Sequence, residues 1–140
     1  MASIFTGRRV WLILGLCLVS SSCFAQHMIA KDGPCQQPSS NADQYECFEV
    51  ASKKSDAELN ALYQRIEGSL DAEELAKLEK AQRLWFEFQN ANCDAEHGLF
   101  QGGSAGPVAK IACLEAGTRH RTEDLWVIYG WRLEKWHLGN

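Results

Sequence analysis

Leu59, Leu62, Tyr63, Ile66 and Leu70 recur at i, i+3, i+4, i+7 and i+11. Apolar residues at that interval commit a segment to an α-helix with one buried face. Leu75, Leu78, Ala81 or Gln82, Trp85 and Phe88 repeat the spacing further on. Gly68 and Ser69 separate the two stripes, and Asp71 with Glu74 three residues later makes a capping-box-like start. The stretch G-L-F-Q-G-G-S-A-G, residues 98–106, ends the second helix. Ser104 and Pro107 suit the start of a third, predicted to run to about Trp136. Residues 26–40, with Gly33, Pro34 and Pro38, read as an irregular lead-in to a first helix beginning near Asn41. No alternating strand pattern and no internal repeat is apparent. The expected fold is all-α: an antiparallel three-helix bundle with an irregular, disulfide-tethered N-terminal lead-in.

The front of the chain has a different purpose. Arg8 and Arg9 precede a short apolar run, Val10 to Val19, and a small-residue tail ending at Ala25. This is the pattern of a secretory signal, and the run is shorter than the ~20 residues that span a bilayer. Residues 1–25 are therefore expected to be removed, leaving 26–140 as one helical domain in the periplasm or outside the cell. The alternative makes Cys23 a lipidated N-terminus that anchors the protein to a membrane, but the preceding S-S-S lacks the leucine usual three residues before such a cysteine. Without the signal, 12 basic residues stand against 18 acidic ones, a net charge of −6. Such a surface disfavours nucleic acid and suits a cationic protein partner.

Cys17 and Cys23 leave with the signal, and Cys35, Cys47, Cys93 and Cys113 remain. An even number in a small exported domain reads as two disulfides. Helix register places Cys47, Cys93 and Cys113 near one level, at the end where the lead-in carrying Cys35 also lies. Height alone leaves all three pairings open. Short loop closure favours Cys35–Cys47 with Cys93–Cys113, each contributing on the order of 3 kcal/mol in the chain-entropy model.

Counting 1.5 Å per residue from the turns puts Asn60 opposite Gln82, and Gln82 level with Arg121, with Thr118 one turn below. Asp56, Asn60 and Tyr63 share one face of the first helix. The implied internal polar layer is Asp56, Asn60, Tyr63, Gln82, Trp85, Thr118 and Arg121. Within it Gln82 can bond Asn60, and Asp56 is the candidate anion for Arg121. Such a layer sets helix register. Trp85 and Phe88 are expected in the core, with Phe86 at a flank or exposed.

Two stretches exceed what a bundle needs. The loop 98–106 offers Phe100 at its tip, with Gln101 beside it. In L-W-V-I-Y-G-W-R-L-E-K-W-H, Leu125, Ile128, Arg132 and Trp136 can take the inner face. Trp126, Tyr129, Trp131 and Leu133 cannot all join them. Trp and Tyr are favoured at interfaces, which makes Phe100, Gln101, Trp126 and Trp131 the candidate partner-binding residues. No catalytic constellation stands out. The cysteines are expected to be oxidised, and Glu73 and Glu74 read as a solvated helix start. Cys93 and His97 are four apart, but in an oxidising compartment the disulfide takes precedence over a metal. No cofactor is implied.

D-A-E-L-N-A-L-Y (56–63), A-Q-R-L-W-F-E-F-Q-N-A-N-C (81–93) and C-L-E-A-G-T-R-H-R-T-E-D-L (113–125) together resemble the LprI-like lysozyme-inhibitor N-terminal domain. The resemblance covers about Cys35 to Leu125. Its pattern places Arg-Asp before the third cysteine, where this chain has Gln89 and Asn90, and commonly an aliphatic residue where this chain has Gly117. The resemblance implies a small exported binding protein, not an enzyme, that inhibits a lysozyme-type cell-wall hydrolase. The alternative from another class is a structural envelope protein that self-associates into homo-oligomers through its tryptophan-rich helix.

Overall fold

The computed structural model describes residues 27–138, with side chains to Lys135. The segment read as a signal, with Cys17 and Cys23, lies outside the described residues, as do the side chains of Trp136 and His137. A single 3-10 turn, His27–Ile29, precedes three helices: α1 (Asn41–Glu67), α2 (Ala72–Gly98) and α3 (Ala105–Leu138). The all-α, three-helix architecture is the one the spacing predicts. Among the described residues there is no strand, and no helix is long and apolar enough to cross a membrane.

Local chemistry sets the helix ends. The Ser40 hydroxyl accepts the Asp43 backbone N–H at 3.1 Å and starts α1. Asp71 and Glu74 form a reciprocal capping box at the start of α2. At the end of α1 the Gly68 N–H returns to the Gln64 carbonyl, and the Ser69 hydroxyl donates to the Ile66 carbonyl. The connection from α1 to α2 is thereby closed within residues 68–71.

α3 is the spine. α1 and α2 each pack along it, whereas they meet each other only sparsely beyond their connection. Small residues bring α1 and α3 close: Ala109, Ala112 and Ala116 are buried, opposite a face of α1 that carries Phe48 and Ser55. The main core gathers Leu59, Leu62 and Ile66 of α1, Leu78 of α2, and Leu125 and Leu133 of α3. A second cluster, Cys35, Phe48, Val108 and Ala112, seats the lead-in at the opposite end. There Gln44 donates to the Met28 carbonyl at 2.6 Å, and the Cys35–Cys47 disulfide ties lead-in to α1. The other disulfide, Cys93–Cys113, joins α2 to α3.

Two inner faces differ from expectation. Phe88 is 70% exposed, and Gln89 is buried in its place. The Cys93 side chain is turned into α3 by its disulfide, so the residue one turn earlier, Gln89, points the same way and Phe88 is rotated out. On α3, Ile128 is 52% exposed while Leu133 is buried. The inner line there runs Leu125, Tyr129 and Leu133, one turn apart, against the main core. Arg132 folds beside it, donating to the Ser69 carbonyl and pairing with both oxygens of Glu74.

Candidate protein-binding surfaces

The polar residues expected as one internal layer divide into separate contacts. Arg121 Nε donates to Gln82 Oε1 at 3.0 Å, and its guanidinium lies 5.7 Å from the centroid of the Trp85 ring. Thr118 Oγ1 donates to Asp56 Oδ1 at 3.3 Å. The partner of Arg121 is therefore an amide and an indole face, and Asp56 serves Thr118 instead. Asn60 and Asp56 are exposed, so the layer is open on one side rather than sealed.

That open side is the space between α1 and α2. A groove of about 470 Å³ is lined there by Asn60, Tyr63, Glu79, Gln82, Arg83 and Phe86. Phe86, left between flank and exposure by the sequence, is 61% exposed. Partial burial, with Glu67 and Glu79 nearby, raises the Tyr63 phenol above its ordinary pKa, while Arg121 pulls the other way.

The other flank of α1 carries a larger groove, of about 620 Å³, between α1 and α3. Its walls are largely apolar: Ala61 and Leu62 from α1, Trp126 and Val127 from α3, with Glu58 and Glu123 among the lining residues. Trp126 is held in a set pose. Its ring lies so close to Gly130 that a Cβ there would meet ring atoms at 3.2 to 3.5 Å. On α1, Arg65 stands 5.9 Å from the ring centroid. Trp131 is five residues on, so it projects roughly 140° away from Trp126. It is 61% exposed, and its indole N–H is spent on the Ile128 carbonyl. The two tryptophans thus serve different faces.

The 98–106 loop is short and bonded to itself. Phe100 is half-buried and its carbonyl accepts the Gly103 N–H at 2.8 Å. Leu99, at 72% exposure, is the more prominent apolar side chain. Gln101 is exposed and adopts a positive φ of 49°, followed by Gly102 at 80°, which closes the turn tightly.

His27, Glu96 and Cys113 place potential metal donors within 4.8 Å of one another. The Cys113 sulfur is bonded to Cys93, and His27 Nδ1 is engaged by Glu96 at 2.6 Å. The cluster is a hydrogen-bonded pair against a disulfide, anchoring the lead-in to α2 and α3.

Two further arrangements escape sequence reasoning. Glu115 is buried between α3 and α1, where Oε1 accepts the Ser55 hydroxyl at 2.9 Å and lies 3.6 Å from Arg119 Nε. Helical spacing could have flagged it, since Glu115 falls on the stripe of Ala112 and Ala116. Gln89 lies flat across Gly117, where a Cβ would stand 2.5 Å from its Nε2, and donates to the Leu114 carbonyl at 2.7 Å. The signal for this pair was present as the two joint departures from the family pattern, at positions 89 and 117.

Comparison with known proteins accords with this scaffold. An uncharacterized protein of Rhizobium meliloti (strain 1021) is 29% identical over 104 residues, covering 65% of this chain and 75% of that protein. No solved structure matches. Residues 35–125, from Cys35 to the core Leu125, match the family described as lysozyme inhibitor LprI. With its paired disulfides and its three helices falling within or across that span, the chain belongs to the LprI lysozyme-inhibitor family.

Proposed function

We propose that the chain is exported as a single domain, residues 26–140, and acts by binding and inhibiting a lysozyme-type cell-wall hydrolase. Family membership across residues 35–125 is the observation that carries this reading. Two disulfides favour an oxidising compartment, which is where such hydrolases work. The excess of acidic over basic residues favours a cationic partner.

The contact surface in this reading is the α1/α3 groove centred on Trp126. A large aromatic side chain, half-exposed and already immobilised between Arg65 and Gly130, loses little further freedom on binding. Anchors of this kind dominate protein interfaces. Phe100 and Gln101 form a smaller candidate at the far end, and Trp131 belongs to a separate face.

A lysis assay with several lysozyme types, with the oxidised protein in excess, tests the function. Dose-dependent inhibition is expected, and Trp126→Ala should weaken it by more than tenfold, a loss in the range of an interface anchor. Unchanged inhibition by that variant would move the contact elsewhere, and no inhibition of any type would remove the hydrolase. The exposed Val127, Ile128 and Trp131 favour one second reading, self-association through α3. Sedimentation showing a dimer that Trp131→Ala dissociates would select it.

A further inference from the structure

The groove between α1 and α2 has a chemistry of its own. Tyr63 and Phe86 supply aromatic walls, Asn60 and Gln82 supply amides on facing helices, and Glu79 supplies a carboxylate. The antiparallel register sets Tyr63 level with Glu79 and Asn60 level with Gln82. On α1, Asp56 and Glu67 continue the same stripe to either side of Asn60 and Tyr63.

Its charges are largely uncommitted. Among the described residues, neither Glu67 of α1 nor Glu79 of α2 forms an ion pair, although Glu73 and Glu74 of α2 do. Asp56 gives one oxygen to Thr118. Burial first, and then the nearby Glu67 and Glu79, raise the Tyr63 phenol above its ordinary pKa at this place. Of these three carboxylates Glu79 lines the groove and Asp56 and Glu67 flank it, and two cations stand nearby. Arg121 is already directed at Gln82 and Trp85. Arg83 lines the groove as Glu79 does, and forms no ion pair with Glu79, four residues before it, among the described residues.

An exposed phenyl ring beside free carboxylates is the usual surrounding of an organic cation, which gains from the ring face and from the anions together. We propose that the α1/α2 groove is a socket for a cationic side chain, lysine or arginine, projecting from the protein partner. This rests on the hydrolase-binding reading for the identity of the partner, though not for the chemistry of the groove. The two grooves flank α1 on opposite sides, so a partner that straddles α1 reaches both. Trp126 then supplies apolar anchorage, and the socket supplies selection for a basic surface.

The test has two arms. In the first, the isotopically labelled oxidised protein is titrated with n-butylammonium chloride, and with n-butanol as the uncharged control. The side-chain amide signals of Asn60 and Gln82 should shift with the ammonium and not with the alcohol, and Glu79→Gln should abolish the shift. Arg83→Gln should strengthen it. Equal shifts with the alcohol, or none with either, overturn the socket.

In the second arm, affinity for an inhibited lysozyme is measured for Glu79→Lys and Phe86→Ala, each at exposed positions where folding is checked by thermal melting. Glu79→Lys should weaken binding by about tenfold or more through like-charge repulsion. Normal affinity in both variants overturns the socket while leaving the hydrolase reading intact. Ammonium binding without affinity for any lysozyme removes the hydrolase and keeps the socket.

Discussion

Gln89 and Gly117 show how one contact can depend on two unusual residues at once. The glutamine side chain is long enough to cross the α2/α3 interface only because nothing projects from Gly117. Having crossed, it satisfies the Leu114 carbonyl. Gly in a helix interior costs about 1 kcal/mol relative to Ala, so the pairing offsets a loss in one helix with a hydrogen bond of similar size. Gly117→Ala should therefore be close to neutral or mildly destabilising alone, because it expels Gln89. In a Gln89→Ala background the same change should stabilise by about 1 kcal/mol. Denaturant unfolding of the two single variants and the double variant measures this coupling, and strictly additive values would contradict it. Glu115 is the other residue whose burial matters: one oxygen is bonded to Ser55 and the other is buried without a hydrogen-bond partner among the described residues.

At the scale of the helix, the question is rotation. Periodicity locates an apolar stripe, but Phe88 and Gln89 are adjacent, and either could have continued the line through Leu78 and Trp85. The Cys93–Cys113 bond decides in favour of Gln89. Likewise Ile128 and Leu133 were both eligible on α3, and the main core takes Leu133. This assignment has a measurable consequence. Phe88→Ser should change stability by no more than about 0.5 kcal/mol, as expected of an exposed position. Leu78→Ala, at a site 2% exposed, should cost about 2 to 5 kcal/mol. Thermal or urea unfolding separates the two, and a severe loss from Phe88→Ser would mean that α2 is turned the other way in solution.

For the whole molecule, covalent and packing constraints act at the same end. Both disulfides, the His27–Glu96 hydrogen bond and the Phe48 cluster lie toward the lead-in, whereas the opposite end relies on the main core and the Arg132–Glu74 clamp. α1 and α2 touch α3 more than each other, which leaves the two grooves open along α1. Replacing Cys93 and Cys113 together by Ser should cost about 3 kcal/mol for a loop of this length in the chain-entropy model. It should also loosen the pairing of α2 with α3, seen as faster amide exchange around Leu114 and Gly117 than around Leu59. Uniform loss across the molecule would instead mark a purely global effect.

Much of this protein was legible before folding was considered. The three helices and their ends near Asn41, at Gly68, at Asp71 and in the 98–106 loop all follow from local spacing. Caps and turns depend on residues within four positions of one another, so sequence suffices for them. What tertiary structure alone decided is the phase of each helix and the partners across it. Phe88 was turned out, Ile128 was displaced by Leu133, Arg121 was given to Gln82 rather than Asp56, and the polar layer was left open beside Asn60. These outcomes depend on how three helices and two disulfides settle against one another, and a hydrophobic period of 3.6 residues specifies a stripe without specifying which neighbour it meets.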